Sequence, residues 1–214
     1  MVDRLRTLMV MLLLVGASVT AVGADVGETL YYACATCHRE DGSGSQPLDA
    51  PRIAGTAGWY VADQLRKFKN GERGDHPGDI YGRQMALFAK ALPDDASIEA
   101  VADYASGLDG PRATAKLPGD TKRGRSLYAP CSACHGVNAR GQADLRAPAL
   151  AGLDDWYLVR QLGNYLEGRR GYASDDIPGQ QMRAAAAVLT TEQDVQDVVA
   201  YLASLSGGER SDSQ

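Results

Sequence analysis

This sequence is short of the residues that usually fill a protein core. Of its 214 residues only two are phenylalanine, and it has three histidines, four cysteines and five methionines. After the first two dozen positions no apolar run approaches the ~20 residues of a membrane-spanning helix. No alternating polar and apolar run is long enough to read as a strand, so the chain reads as all-α. Basic charge is scarce too. Lys and Arg number 22 against 27 Asp and Glu, a net charge of −5. That argues against a nucleic-acid partner, which would ask for a basic face. It allows a basic protein partner without identifying one.

What the first 24 residues contain is a leader. Arg4 and Arg6 give a basic start, Leu8 to Val15 an apolar core, and Ala21 to Ala24 a run of small or slim residues. This is the pattern of a secretory signal peptide, with cleavage expected after Ala24. The apolar core is short for an uncleaved anchor. Cleavage removes two basic residues and one acidic residue, leaving a net charge of −6 on 190 residues. It also leaves two methionines only, Met85 and Met182.

The chain then repeats itself at an offset of 97 residues, with no insertion or deletion. Cys34, Cys37 and His38 map onto Cys131, Cys134 and His135. Ala50-Pro51 maps onto Ala147-Pro148, Trp59-Tyr60 onto Trp156-Tyr157, and Gln64 onto Gln161. Gly71, Arg73 and Gly74 map onto Gly168, Arg170 and Gly171. Asp79-Ile80 maps onto Asp176-Ile177, Gln84-Met85 onto Gln181-Met182, and Tyr104 onto Tyr201. A period this long marks two domains, since solenoid units run to roughly 20–50 residues. The domains are expected over 25–109 and 121–207. Between them Gly110, Pro111, Pro118 and Gly119 mark a linker over 110–120. A polar tail covers 208–214.

Within each half the helices are legible. Over Asp95 to Leu108 the residues Ile98, Val101, Ala102, Ala105 and Leu108 share one face. Val195, Val198, Val199, Leu202 and Leu205 do the same over Glu192 to Leu205. Pro93 precedes the first of these helices, and Thr190 and Thr191 stand where the second should be capped. A middle helix is expected over Gly58 to Asn70 and again over Asp155 to Leu166. Domains of about 90 residues often need a staple, and a large flat cofactor would supply one.

All four cysteines lie in Cys-x-x-Cys pairs, each followed at once by histidine. Export would permit disulfides, but Cys-x-x-Cys-His is the c-type haem attachment pattern. Cysteines about one helical turn apart can reach two vinyl groups on one edge of the macrocycle. The next residue then turns under the iron as proximal ligand. A structural zinc site would want four protein ligands, and each half has two cysteines and one well-placed histidine. A redox dithiol would sit on a strand–helix background, which this sequence lacks. The readings are therefore two covalently bound haem c groups, held by Cys34 and Cys37 and by Cys131 and Cys134, with His38 and His135 on iron.

Met85 and Met182 are the candidates for the second axial position. Each stands 47 residues after its histidine, in a polar, glycine-bearing stretch that reads as a loop before the last helix. A methionine is more often a flexible core filler, but the count and the matched positions favour ligation. A thioether raises the potential relative to bis-histidine haem, and a six-coordinate iron leaves no position for oxygen or peroxide. The backbone carbonyls of Pro51 and Pro148 are candidates to accept the other ring N–H of each histidine; otherwise these prolines only turn the chain. Trp59 and Trp156 read as core. Arg73 and Arg170 read as solvated charges or as partners of haem propionates. His76, matched by Ala173, reads as part of an exposed loop.

In combination these motifs resemble the dihaem cytochrome c4 family, over essentially the whole chain after the leader. The resemblance implies two tandem class I cytochrome c domains, each a small helical fold around a covalently bound haem. It implies a pseudo-twofold axis with the propionate edges near the domain interface. It also implies a non-enzymatic periplasmic electron carrier, free or loosely membrane-associated, between a quinol-oxidising complex and a terminal oxidase or reductase. The longer stretch from Gly71 to Gly82 departs from the family and is similar to stretches in dihaem subunits of oxidases. A subunit fixed to a dehydrogenase or oxidase is the alternative, and a dihaem peroxidase is a more remote one. Differences such as His76 against Ala173 and Tyr81 against Pro178 imply unequal potentials.

Overall fold

A computed structural model describes residues 19–112 and 116–205. Of the expected leader, residues 1–18 lie outside the described residues, as do linker positions 113–115 and the tail 208–214. The first half has four helices: α1 (Val19–His38), α2 (Gly58–Asn70), α3 (Ile80–Ala91) and α4 (Asp95–Gly107). The second half has α5 (Thr121–Tyr128), α6 (Ser132–His135), α7 (Asp155–Leu166), α8 (Ile177–Ala186) and α9 (Glu192–Leu205). Isolated bridges join Ser45 to Ala50 and Gln142 to Ala147, and there are no strands among the described residues.

The halves differ where α1 is matched by α5 and α6. Pro130 stands at the position of Ala33. It has no N–H for the i to i−4 ladder, so the second half breaks there into two helices. The packing order is nevertheless the same. The histidine-bearing end of α1 lies on a helix packed against α4, α4 packs on α2, and α2 packs on α3. Likewise α5 packs on α9, α9 on α7, and α7 on α8.

The crossing of first and last helix admits no side chain on the near face. A Cβ on Gly27 would lie 2.4 Å from the Ala100 carbonyl oxygen, and one on the matching Gly124 1.9 Å from that of Asp197. Beside each crossing two tyrosines meet, Tyr31 with Tyr104 at 5.3 Å and Tyr128 with Tyr201 at 5.5 Å between ring centroids. The Tyr31 hydroxyl donates to the Arg39 carbonyl at 2.9 Å, and Tyr128 to that of Gly136 at 2.7 Å. A buried phenol thus finds a partner and fixes the chain just after each histidine.

Each half has its own core. Tyr31, Ala62, Leu92, Ile98, Val101, Ala102 and Ala105 form one cluster. Tyr128, Leu158, Leu189, Val195, Val198, Val199 and Leu202 form most of the other. Leu108 and Leu205 are partly buried at the edges. Trp59 and Trp156 belong to neither cluster. Both are half-buried, each edge-on to the neighbouring tyrosine.

The caps follow the sequence signals. Asp94 accepts from the Ser97 N–H at 2.8 Å and starts α4. At α9 the Thr191 hydroxyl accepts from the Asp194 N–H at 3.1 Å, and the Asp194 carboxylate accepts from the Thr191 N–H at 3.0 Å. This is a capping box. Asp194 also receives Arg123 of α5, and the Asp120 N–H donates to Asp197 at 2.8 Å. The linker is strapped to the second half, the N–H groups of Lys116 and Leu117 donating to Asp155 at 2.6 and 2.8 Å.

Thr191→Ala should lower the unfolding free energy by about 1 kcal/mol, the usual worth of such a cap, as read by denaturant titration. Asp194 gives a pH dependence. The Arg123 guanidinium, helped by the cap N–H groups, holds its carboxyl below the ordinary range. The folded pKa is lower than the unfolded one. The stability it contributes is therefore present above about pH 4 and is lost as pH falls through the folded value. Asp194→Asn should flatten the acid limb of stability against pH. An unchanged limb would show that this cluster makes no pH-linked contribution.

Candidate haem sites

Both Cys-x-x-Cys-His segments end a helix. Cys34, Cys37 and His38 lie on the last turn of α1, and Cys131, Cys134 and His135 run from the cap of α6 through its end. None of the four cysteines forms a disulfide, and burial pushes the thiols of Cys34 and Cys131 up from their ordinary value. Both histidine rings are buried. Burial disfavours the charged form, and both pKa values lie below the ordinary imidazole value despite the carbonyl each ring faces.

That carbonyl settles the tautomer. His38 Nδ1 lies 2.8 Å from the Pro51 oxygen, and His135 Nδ1 lies 2.8 Å from the Pro148 oxygen. A carbonyl oxygen only accepts, so Nδ1 carries the proton and donates. The lone pair is left on Nε2, the atom a metal would take. The prolines therefore do more than turn the chain.

The loop that presents each carbonyl is closed by backbone bonds. Gly44 N–H donates to the His38 carbonyl at 3.0 Å, and Ser45 and Ala50 exchange bonds of 2.7 and 3.1 Å. Gly141 N–H donates to the His135 carbonyl at 2.9 Å, with Gln142 and Ala147 bonded at 2.8 and 3.1 Å. Gly44 and Gly141 have φ of +80° and +78°. A Cβ on either would come within 2.5 Å of the Pro51 or Pro148 carbonyl carbon. Sequence reading passed over both glycines, although each follows its histidine by the same interval in the repeat.

Met85 and Met182 are on helices, not loops. Each is the sixth residue of its element, α3 or α8. These helices were missed because little of either is buried: Ala86 and Ala89 of α3 pack on Phe68, with Met85 at the edge. Asp79 and Asp176 start them by accepting from the N–H groups of Gly82 and Gly179, each at 2.9 Å. The structure thus brings cysteines and histidine together at one helix end in each half. It carries each methionine on a separate helix, linked to the first through α4 and α2 or through α9 and α7.

Arg73 and Arg170 are not solvated. Both are buried, and they bind the halves together reciprocally. Arg73 donates to Gln64 of its own half at 2.7 Å, and to Tyr157 and Gln161 of the other at 3.1 and 3.0 Å. Arg170 donates to Gln161 at 2.9 Å, and to Tyr60 and Gln64 at 2.9 and 2.8 Å. Each guanidinium also covers a ring, Phe68 at 4.4 Å and Tyr165 at 4.7 Å. Burial alone would raise the Tyr157 phenol, but the two guanidinium groups outweigh it and draw it below its ordinary value. The exchange of equivalent contacts is that of a twofold interface. His76 is also part of this seam. Its ring meets Tyr172 at 5.9 Å, and the Tyr172 hydroxyl donates to the Gly71 carbonyl at 3.0 Å.

The residues fit a haem in each half. Each histidine keeps a metal-facing lone pair, and each thiol pair has the required spacing. Arg73 Nε is buried without a hydrogen-bond partner, where a carboxylate would be an acceptor. Among the described residues no three His, Cys, Asp or Glu side chains gather as a metal site, so a bare ion would find too few ligands.

The comparisons agree with this. The cytochrome c family profile matches the chain twice, over residues 24–109 and 121–206. Cytochrome c-552 of Acidithiobacillus ferridurans is 30% identical over 91% of this chain and 84% of its own. Cytochrome c4 of Azotobacter vinelandii is 28% identical over 94% of this chain and 98% of its own. The solved cytochrome c4 of Pseudomonas stutzeri superposes with a TM-score of 0.66 at 26% identity, over 84% of this chain and 96% of that one. The thiosulfate dehydrogenase of Marichromatium purpuratum gives 0.66 at 30% identity over 83% of this chain, which spans only 39% of that larger one. Helical domains repeated in tandem, each ending a helix in Cys-x-x-Cys-His, define a two-domain electron-transfer cytochrome, and the chain belongs to the cytochrome c family. It is similar over nearly its whole length to cytochrome c4 proteins, and its two cytochrome c domains imply two covalently bound haem c groups.

Gly44→Ala should cost more than Gly71→Ala. Both glycines have φ of +80°, but a Cβ on Gly71 finds its nearest neighbour 4.0 Å away. Gly71→Ala should lose about 1–2 kcal/mol for the left-handed backbone alone. Gly44→Ala should lose more, because the Pro51 carbonyl must move. Equal losses in denaturant titration would show that the loop yields without disturbing His38.

Proposed function

We propose that this chain is a periplasmic electron carrier, with Cys34, Cys37, Cys131 and Cys134 as the thioether-forming residues and His38, Met85, His135 and Met182 as axial ligands. The observation that carries the reading is the same in both halves: a buried histidine whose Nδ1–H is spent on a proline carbonyl, leaving Nε2 for iron. When bound, haem supplies a one-electron Fe(III)/Fe(II) couple. The protein's own part is to orient the ligands, exclude water and offer charge. His38 and His135 are fixed in the metal-binding tautomer, and the Pro51 and Pro148 carbonyls increase their basicity. Met85 and Met182 would hold the iron from the side opposite the histidines, which would leave substrate no place at the metal and make the chain a carrier rather than an enzyme. Arg73, with its buried Nε open, would receive a propionate.

The leader pattern supports export to the periplasm. No helix among the described residues is long and apolar enough to cross a membrane. The donor is a quinol-oxidising complex and the acceptor a terminal oxidase or reductase, which is the partnership the cytochrome c4 resemblance implies. A second reading has a specific support. A relative in Stutzerimonas stutzeri, 31% identical over 81% of this chain, is named thiosulfate dehydrogenase electron acceptor. On that reading the chain receives electrons from a dehydrogenase and is held to it. Purification from periplasm separates the two, because a stoichiometric large partner would sink the free carrier.

The axial assignment has its own test. Oxidised protein should show the weak red absorption of iron–sulfur ligation. Met85→Ala and Met182→Ala should each remove about half of it, since each owns one of two sites. A band unchanged in both variants would refute the assignment. Turnover of hydrogen peroxide by the reduced protein would refute the closed sixth position.

A further inference from the structure

The seam between the halves is reciprocal except at one place, and that place is the cap of a methionine-bearing helix. Lys67 of α2 has Asn164 as its counterpart. Its Nζ crosses the seam to lie 2.7 Å from Asp176 Oδ1, and it also meets Asp63 of its own helix at 3.1 Å. The pair is dry. The Lys67 side chain is 9% exposed and that of Asp176 3%. The same Asp176 oxygen accepts the Gly179 N–H that starts α8, and Met182 lies on the next turn. Asp63 in turn takes Arg146 of the second half, so the chain Arg146–Asp63–Lys67–Asp176 crosses the seam twice.

Among the described residues no cross-seam ion pair reaches the cap of α3. The residue that matches Lys67 in the repeat is Asn164, and an amide brings no charge. Position 160, matching Asp63, is an arginine that pairs with Asp49 and covers Tyr81. A buried carboxylate that loses its ammonium partner is left with an uncompensated charge. Among the described residues its other side-chain partner is the Gly179 N–H at the start of the Met182 helix.

We propose that Lys67 is a positioning residue for Met182: the first domain braces the cap of the Met182 helix with a buried ion pair, whereas the second domain meets the Met85 helix through the cation held over the Tyr81 ring, away from its Asp79 cap. This rests on the reading of Met85 and Met182 as axial ligands. The two irons are then unequal by construction. Opening the seam would remove a buried ion pair from the cap of the Met182 helix and none from that of the Met85 helix, so ligation by Met182 would be the more sensitive to whether the domains are docked.

The test uses the full-length protein with both haems, as Lys67→Asn and as the double variant Lys67→Met with Asp176→Asn. The double variant keeps a side-chain oxygen to cap Gly179, removes both charges, and so guards against a simple failure to fold. Two readouts are taken. One is the pair of upfield methionine methyl resonances of the reduced protein, assigned by their loss in Met85→Ala and Met182→Ala. The other is displacement of methionine by imidazole in the oxidised protein. In both variants the Met182 resonance should shift or broaden and imidazole should displace Met182 roughly tenfold more readily, within the usual range of coupling between sites. The Met85 signals should stay as in the unmodified protein. Unchanged Met182 signals in a folded double variant, or an equal response at both methionines, would overturn the proposal. If the unmodified protein shows no methionine methyl resonances at all, the axial reading itself fails and the role of Lys67 fails with it.

Discussion

The rest of this structure depends on one hydrogen bond made twice, from a histidine Nδ1 to a proline carbonyl at 2.8 Å. A buried imidazole can serve as a ligand only if it is neutral and its proton is on the far nitrogen. Proline suits the acceptor role because it has no N–H of its own to satisfy at that point. The carbonyl must be brought up against the ring, and that explains otherwise unconnected features. Gly44 and Gly141 leave room for it. The Ser45–Ala50 and Gln142–Ala147 bridges pin the loop. The tyrosine hydroxyls on Arg39 and Gly136 hold the chain as it leaves the helix. Changing any of these reaches the metal site through the angle of one carbonyl.

A second constraint acts between the domains. Arg73 and Arg170 are buried at the seam, and among the described residues their hydrogen-bond partners are amide and phenol oxygens rather than carboxylates. Burying two like charges is costly unless every proton is satisfied or an anion is close. The orphaned Arg73 Nε shows that protein atoms alone do not complete the set. A cofactor bearing carboxylates would complete it, and the domain interface is then partly made by the groups it encloses. Docking and cofactor attachment become linked through these arginines.

Sequence periodicity made the cores legible, because α4 and α9 repeat Ile, Val and Leu at helical spacing and bury those positions. The repeat made the haem residues legible, since Cys34, Cys37 and His38 recur intact. It also pointed to Pro51 and Pro148. What it did not reveal has a common cause. α3 and α8 show no apolar face that faces inward: only alanines and glycines in each are buried, while Ile80, Leu87 and Phe88 of α3 and Ile177 of α8 are exposed. Arg73, Arg170 and His76 look exposed because the surfaces that cover them lie 84 to 110 residues away, in the other half. No local pattern carries that information. The matched pair of arginines was its one trace, and a charge is ordinarily read as solvated.

The repeat also shows why the two halves need to differ. Asp49 and Arg146 occupy matching positions, and so do Asp63 and Arg160. Across the seam Asp49 pairs with Arg160, and Arg146 pairs with Asp63. These are the same contact with the signs exchanged. Two copies of the first half brought together in this geometry would set Asp49 against Asp63, and two copies of the second would set Arg146 against Arg160. Partly exposed ion pairs add little stability. Like charges in the same places are a penalty on every wrong pairing, so their contribution is to partner choice. A symmetric interface needs such a device, because the reciprocal Arg73 and Arg170 contacts would serve a homodimer of either half equally well. The charge exchange confines that symmetry to one first half facing one second half. Within that pairing Lys67, freed from any matching lysine, can act in one direction only.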